Sequence, residues 1–247
     1  MTQTRFLPRP DGTRLAYALT AGAGPTIVFL PGYLSDMAGS KAVALEGWAA
    51  AQGRAMLRLD YAGCGQSEGD SRNETLTSWR DDVLHLIDTL TDGPLLLVGS
   101  SMGGWIMLLV ALARPDRVAG LVGIAAAPDF TDWGYDDAQK AVLARDGLLL
   151  LPNAYGPEPT PVTQPFWASG QANRLLSGPI PIDGPVRLLQ GQCDPDVPWE
   201  TALRLAAALR SDKVQVSLIK DGDHRLSREQ DIRLLVATVG QLLEEIA

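Results

Sequence analysis

The stretch LLLVGSSMGGWIMLL, residues 95–109, decides the fold class. An apolar run ends at a glycine and two serines, and a second apolar run follows two more glycines. Continuous apolar runs are typical of parallel strands buried on both faces, and a segment that is apolar all round is typical of a buried helix. The stretch therefore predicts a buried strand, a sharp turn and a buried helix in succession.

The same alternation extends along the chain in both directions. Further short apolar runs, each ending in turn residues, are TIVFLPG, AMLRLDYAG, VAGLVGIAAAP, VRLLQGQCD and VQVSLIKDGD. Helical patterns lie at 41–52, 75–90, 102–113, 199–210 and 226–245. Before them, RFLPRPDGTRLAYALTAG predicts two antiparallel strands around a turn at Pro10–Gly12. Strands that alternate with helices predict an α/β fold, a mostly parallel twisted sheet flanked by helices.

One segment interrupts this rhythm. Between Pro128 and Pro185 the distance from strand to strand is too long for an ordinary crossover, and the sequence is rich in proline and aromatic residues. We interpret 129–182 as a cap insertion after the sixth strand, within a single domain that spans 1–247.

Composition excludes several classes of function. The net charge of −8 and the pI of about 4.8 argue against a nucleic-acid partner or an anionic membrane, because either needs a basic surface. No run reaches the ~18 apolar residues of a membrane span. Cys64 and Cys193 are too few for a disulfide framework and are expected to be free thiols. Since the first residues form no apolar signal segment, we expect a cytoplasmic protein.

The two adjacent serines are distinguished by the spacing of the glycines. Gly99-Ser100-Ser101-Met102-Gly103 fits the pattern G-x-S-x-G only with Ser101 at its centre. That pattern marks a nucleophile on a sharp strand-to-helix turn, whose neighbours must be small and whose next backbone N–H faces the site. Ser101 is therefore the candidate nucleophile, and Ser100 is a small neighbour.

A serine nucleophile needs a base, and the chain has two histidines. His85 lies on a predicted helix among aspartates, whereas His224 lies in the loop after the last strand, at the carboxyl end of the sheet where sites of such folds form. His224 is therefore the candidate base.

The base needs an orienting carboxylate. Asp194, after the next-to-last strand, gives the expected order of serine, acid and histidine. Asp196 and Asp129 stay open as alternatives.

The remaining candidates concern the oxyanion hole and cofactors. The backbone N–H groups of Tyr33 and Met102 are the candidate oxyanion donors, with Leu34 as the neighbour that could replace Tyr33. The glycine pairs at 22–24 and 63–65 do not complete a dinucleotide-binding loop, and the cysteines and histidines lack metal-ligand spacing. We expect no cofactor and no metal.

Taken in order, DYAGCGQSEG, GSSMGG, GQCDPDVP and DGDH resemble the α/β-hydrolase superfamily over essentially the whole chain. The segments PGYLSDMAGSKA, APDFTDWG, YGPEPTPVT and DGDHRLS are more closely similar to the group called α/β-hydrolase domain-containing protein ten. The resemblance implies Ser101, Asp194 and His224 as the catalytic triad. It also implies the activities of that group, palmitoyl-protein thioesterase and acyl-glucuronide esterase.

These observations predict a serine hydrolase that acts on small-molecule esters or thioesters through an acyl-enzyme. Aromatic cap residues are the candidate walls of an acyl pocket: Phe130, Trp133, Tyr155, Phe166 and Trp167. A carbon–carbon hydrolase or lyase acting on a small acid, and a ligand receptor with a slow triad, are the alternatives. The sequence does not indicate the oligomeric state.

Overall fold

A computed structural model describes residues 2–153 and 156–246, and it is built on one eight-stranded sheet. The strands of this sheet are β1 (Arg5–Pro8), β2 (Arg14–Thr20), β3 (Ala23–Leu30), β4 (Arg54–Leu59), β5 (Leu95–Ser100), β6 (Val118–Ile124), β9 (Val186–Gly191) and β10 (Val214–Ile219). A separate hairpin consists of β7 (Leu148–Leu151) and β8 (Thr160–Thr163). The helices are α1 (Ser40–Ala51), α2 (Leu76–Leu90), α3 (Met102–Ala113), α4 (Phe130–Trp133), α5 (Asp137–Asp146), α6 (Gln164–Ala172), α7 (Glu200–Ala208) and α8 (Glu229–Glu245), with a short 3-10 helix at Ser71–Asn73.

The strand order is β1-β2-β4-β3-β5-β6-β9-β10. β2 pairs antiparallel with both of its neighbours, and every other pairing in the sheet is parallel. The predicted turn between β1 and β2 closes with a hydrogen bond from Arg9 N to Thr13 O (2.8 Å). The structure thus confirms the predicted architecture.

Both faces of the sheet are covered by helices. In β5, Leu95 and Leu97 face the cluster that contains α2 and α3, whereas Leu96 and Val98 face the cluster that contains α1 and α8. Such strands carry apolar residues at every position because each face is buried, which explains the continuous apolar run in the sequence.

Helix α2 shows how the local sequence sets an element. The hydroxyl of Thr75 accepts a hydrogen bond from Ser78 N (3.0 Å), and the hydroxyl of Ser78 accepts one from Thr75 N (2.8 Å), which together cap the first turn. The buried stripe of this helix includes Trp79 and Val83 and packs against the sheet.

The segment that the sequence predicts as a cap holds α4, α5, the β7–β8 hairpin and α6. It is tied to the sheet domain by polar contacts as well as by packing. Ser169 lies 2.9 Å from the hydroxyl of Thr77 on α2, and the indole of Trp105 on α3 donates to Asn173 O (3.1 Å). The cap is thus held against α2 and α3. Within 2–153 and 156–246, no helix combines the length and the apolar character that a bilayer crossing requires.

Candidate active site

Ser101 lies between the end of β5 and the start of α3 with φ 55° and ψ −120°. A non-glycine residue with positive φ is strained, at a cost of about 1–3 kcal/mol, and persists only where the surroundings enforce it. Here they do so through the backbone: Ser101 N donates to Ile124 O (2.9 Å), and Ser101 O accepts from Gly104 N (2.9 Å) and Ala127 N (3.1 Å). The turn therefore has the sharp strand-to-helix geometry that the pattern G-x-S-x-G predicts.

The two glycines of that pattern are required by close backbone packing. A Cβ on Gly99 would lie 2.3 Å from Gly103 O, and a Cβ on Gly103 would lie 2.1 Å from Leu30 O. Neither position has room for a side chain. The spacing seen in the sequence therefore has a steric cause in the structure.

His224 and Asp194 meet at the carboxyl ends of β9 and β10, 30 positions apart in the chain. His224 Nδ1 lies 2.9 Å from Asp194 Oδ2. The Asp194 side chain is fully buried, and it also accepts from Gln190 Nε2 (3.0 Å) and from the N–H groups of Asp196 (2.8 Å) and Val197 (2.9 Å). The carboxylate is held in one orientation against the imidazole.

The charge state of Asp194 follows from these contacts. Burial acts against the charged form, but the hydrogen bond and charge of His224, together with the two backbone N–H groups, outweigh it and hold the pKa of Asp194 below its usual value. An ionised carboxylate beside Nδ1 favours the imidazole tautomer that carries its proton on Nδ1 and leaves Nε2 free to accept.

The two alternative acids lie elsewhere. Asp196 Oδ2 is 4.0 Å from His224 Nε2, on the other side of the ring from Asp194. Asp129 is buried, and its carboxylate accepts from Leu175 N and Leu176 N (both 2.8 Å), which anchors the end of the cap. Of the three aspartates, Asp194 is the one hydrogen-bonded to Nδ1.

The loop after β3 passes next to Ser101. A Cβ on Gly32 would lie 3.4 Å from the Ser101 Cβ, which places the following residue, Tyr33, at the same site. Met102 is the first residue of α3, where backbone N–H groups have no acceptor within the helix. Leu34 has φ 53°, so the loop turns sharply after Tyr33.

Ser101 and His224 line a common cavity of about 770 Å³. Its walls come from the loop after β3, the start of α1, the end of β5, the β7–β8 hairpin and the loop after β10. Apolar lining from the cap is supplied by Leu151, Pro159 and Pro161. A cavity of this size is in the usual range for small-molecule sites.

The structure places the predicted aromatic wall elsewhere. Among the described residues that line this cavity, Phe130, Trp133, Phe166 and Trp167 are absent. Phe130 and Phe166 pack against the ring of Tyr33 (centroids 6.3 and 4.8 Å away), and Phe166 is fully buried.

The two tryptophans are held by backbone carbonyls, Trp133 by Pro128 O and Trp167 by Thr131 O (both 2.9 Å). Phe166 belongs to the core between cap and sheet, and the half-buried Phe130 and Trp167 pack against it. Tyr155, the fifth predicted wall residue, lies outside the described residues.

Sequence reasoning missed two cations of the cavity, Lys41 and Arg225. Lys41 Nζ donates to Arg225 O (2.5 Å), which ties α1 to the histidine loop. Burial, and then the charge of Arg225, lowers the pKa of Lys41 to about 8. The position of Arg225 directly after His224 was the available sequence signal, whereas Lys41 gave none.

One group of potential metal ligands occurs within the described residues. Ligand atoms of Asp194, Asp196 and His224 lie within 4.8 Å of one another. Because Asp194 Oδ2 and His224 Nδ1 already bond to each other, a cation here would compete with the arrangement described above.

A strained serine on a strand-to-helix turn shares a cavity with a histidine that is paired with a buried aspartate, an arrangement typical of hydrolases of the α/β class. Family models agree: one described as alpha/beta hydrolase fold matches residues 25–149, and one described as prolyl oligopeptidase family matches residues 90–246. The chain belongs to the α/β-hydrolase family.

Within that family, the chain is 42% identical to the human palmitoyl-protein thioesterase ABHD10, mitochondrial, over 100% of this chain and 82% of the relative. Among solved structures, the mouse alpha/beta hydrolase domain-containing protein 10 superposes with a TM-score of 0.93 at 39% identity, with 100% of both chains covered. A putative hydrolase from Agrobacterium vitis S4 has a TM-score of 0.91 at 38% identity, with 98% of both chains covered. These relationships confirm the predicted family resemblance and the predicted enzyme class of esterase and thioesterase.

The predicted cytoplasmic location is wrong by the same comparison, because the mammalian relatives are named mitochondrial. The prediction depended on the absence of an apolar signal segment. Such a segment marks secreted proteins, and its absence does not distinguish the cytoplasm from the mitochondrion.

Proposed function

We propose that this protein hydrolyses thioesters and esters of apolar carboxylic acids through an acyl-enzyme on Ser101. The observation that carries the proposal is the shared cavity: the strained serine and the histidine bonded to Asp194 both face it. The palmitoyl-protein thioesterase name of relatives 40–42% identical supports an acyl thioester as substrate.

In the first half of the reaction, Ser101 Oγ attacks the acyl carbonyl carbon while His224 Nε2 takes the hydroxyl proton. Asp194 holds the ring and stabilises the imidazolium that forms. The carbonyl oxygen becomes an oxyanion, which accepts from the backbone N–H groups of Tyr33 and Met102 at the start of α3. Collapse of this intermediate breaks the bond to the thiol or alcohol, which leaves with the proton from His224.

In the second half, water attacks the acyl-serine and gives its proton to His224. The second oxyanion uses the same two donors, and its collapse returns the proton to Ser101 and releases the acid. The apolar lining by Leu151 and Pro161 suits the hydrocarbon part of the acyl group, and the polar mouth near Lys41 and Asp196 suits the leaving group.

The proposal is tested with p-nitrophenyl esters and acyl-thioesters of graded chain length, from acetyl to palmitoyl, read as kcat/KM. We expect hydrolysis of both classes and a rise of kcat/KM with chain length until the cavity is filled. Labelling of Ser101 by a fluorophosphonate probe should block both activities together. A protein that takes no label and hydrolyses no substrate of the panel would instead be a ligand receptor, and the proposal would be withdrawn.

The hairpin of the cap provides a matched test of the acyl pocket. Leu151 lines the cavity, whereas Leu150 beside it is 57% exposed. Leu151→Ala should lower kcat/KM for long acyl groups more than for acetyl, by about 1–3 kcal/mol for one lost apolar contact. Leu150→Ala should change neither. Equal losses for acetyl and palmitoyl substrates in Leu151→Ala would place the acyl chain elsewhere.

For Trp167, which does not line the cavity, we expect a different result from that for Leu151. Its indole donates to Thr131 O, and its half-buried ring packs against the core between cap and sheet. Trp167→Ala should destabilise the protein by about 3–5 kcal/mol at most, the range for deletion of a large aromatic ring, and should not change chain-length preference. Thermal unfolding together with the same substrate panel measures both. A loss of kcat/KM confined to long acyl chains would show that Trp167 contacts the acyl group after all.

A further inference from the structure

The segment Gly32–Met37, here called the oxyanion loop, carries the Tyr33 N–H to the Ser101 turn. Among the described residues, the one backbone hydrogen bond within this loop joins Ser35 N to Gly32 O (3.1 Å), and Leu34 adopts a strained positive φ. An oxyanion donor is effective only when it is held in place before the reaction. The loop therefore needs support from outside itself.

That support reaches the far end of the loop at Met37. Its backbone N–H donates to Asp60 Oδ1 (2.6 Å), and its backbone carbonyl accepts from Arg58 Nη1 (2.5 Å). The Met37 side chain is buried against Ala16 and Ala18 of β2. Both backbone groups of one residue are thus fixed by charged side chains.

The near end of the loop is held from the same place. The phenol of Tyr61 donates to Pro31 O (3.1 Å). Arg58, Asp60 and Tyr61 fall within four consecutive positions at the end of β4, next to β3 in the sheet. One strand end therefore holds the loop at both of its ends.

The charges involved are buried, and each is hydrogen-bonded. Arg58 and Glu46 are each 4% exposed and bond through Nη2 and Oε1 (2.8 Å), and Asp60 is 1% exposed and accepts from Gln66 N (2.8 Å) through its second oxygen. A buried ion pair adds little net stability compared with apolar side chains of the same size. Stability alone is thus a weak reason for three buried charges, and fixed geometry is a stronger one.

We propose that Arg58 and Asp60 are positioning residues for acyl transfer, which act by fixing the oxyanion loop so that the Tyr33 N–H meets the developing oxyanion. The inference depends on the proposed function of Ser101. Under this inference, Arg58 and Asp60 affect kcat although neither residue lines the cavity.

The primary test is Asp60→Asn. The amide can accept one of the two backbone N–H groups, but its own NH2 then faces the other, so the loop end is released with little change in volume. We expect kcat on a p-nitrophenyl ester to fall on the order of tenfold or more, part of the 10²–10³-fold effect of a whole oxyanion donor, with KM nearly unchanged. Affinity for a boronic acid, whose tetrahedral adduct carries the oxyanion, should fall by the same factor, while affinity for the product acid stays the same.

Asp82→Asn is the matched control. Asp82 is also buried (2% exposed), and it accepts from Ala62 N (2.9 Å) and pairs with Arg9 instead of the oxyanion loop. This variant should lower the melting temperature and leave kcat unchanged. If Asp60→Asn and Asp82→Asn lose kcat equally, or if Asp60→Asn keeps full kcat, the positioning role is wrong.

A second pair of variants covers the case in which Asp60→Asn does not fold. Gly65 has φ 52°, and a Cβ on it would lie 2.3 Å from Asp60 Oδ2, whereas Gly53 has φ 62° and nothing within 4 Å of its Cβ position. Gly65→Ala should lower kcat and boronic acid affinity together. Gly53→Ala should lose a similar amount of stability from its strained backbone and keep full kcat.

Ser101→Ala is measured alongside these variants. If Ser101→Ala retains activity, the proposed function fails. If it is inactive while Asp60→Asn and Gly65→Ala keep full kcat, only this inference fails.

Discussion

Replacing Ser101 with alanine is expected to lower kcat for ester and thioester hydrolysis by about 10³-fold or more, with folding intact. The hydroxyl that attacks is removed, while the backbone of the turn stays held by Ile124 and Gly104. Alanine at the same positive φ carries the same backbone strain as serine, so the melting temperature should change little. Active-site titration with a fluorophosphonate should show no label.

Ser100→Ala is the control for this result. Ser100 is the last residue of β5 and is mostly buried, opposite Ile124 in the sheet. Its loss should leave most of the activity. An active Ser101→Ala beside an inactive Ser100→Ala would reverse the assignment that the glycine spacing suggests.

Asp194→Asn is expected to lower kcat by about 10⁴-fold, the scale set by removing the orienting carboxylate of a triad. An amide can present its NH2 to His224 Nδ1, which then acts as an acceptor and places the ring proton on Nε2, where the base must be free. The two backbone N–H groups from Asp196 and Val197 favour keeping the oxygen on their side, which enforces this orientation. KM should change much less than kcat.

Asp196→Asn is the matched control, since it makes the same change two positions away and 4.0 Å from His224 Nε2. It should cost far less than Asp194→Asn. Asp129→Asn tests the other candidate acid, which follows β6. This change should loosen the end of the cap at Leu175 and Leu176, so it should lower the melting temperature and have little effect on kcat. A larger loss of kcat in Asp129→Asn than in Asp194→Asn would contradict the assignment.

The sheet could be predicted because its local signals agree with the fold. Apolar runs that end in glycine or aspartate marked the central strands, and the turn at Pro10–Gly12 marked the antiparallel pair. Helix α3 extends over 102–113, as its uniform apolarity predicts. The sharp turn at Ser101 could be predicted because the glycine spacing has a backbone cause that holds in any strand-to-helix turn of this shape.

The cavity lining could not be predicted in the same way. An aromatic side chain in a cap is equally compatible with a pocket wall and with the core beneath it, and the sequence does not tell which face is buried. Phe166 belongs to that core, whereas Leu151 and Pro161 line the cavity. The role of Arg58 and Asp60 could not be predicted for another reason. In AMLRLD they are polar residues in or next to an apolar strand, and their partner Met37 lies in a loop distant in sequence.

Tyr33 makes the cap and the oxyanion loop mechanically dependent on each other. Its phenol donates to Pro161 O on β8 (2.7 Å), while its backbone belongs to the loop beside Ser101. Burial raises the pKa of this phenol well above its usual value, so the bond stays a neutral donor–acceptor pair across the physiological pH range. The ring of Tyr33 packs against Phe130 and Phe166 of the cap and against Trp79 of α2, so the same residue contacts both parts of the protein. If the Tyr33 N–H serves the proposed mechanism, its position therefore depends on the position of β8 as well as on the sheet.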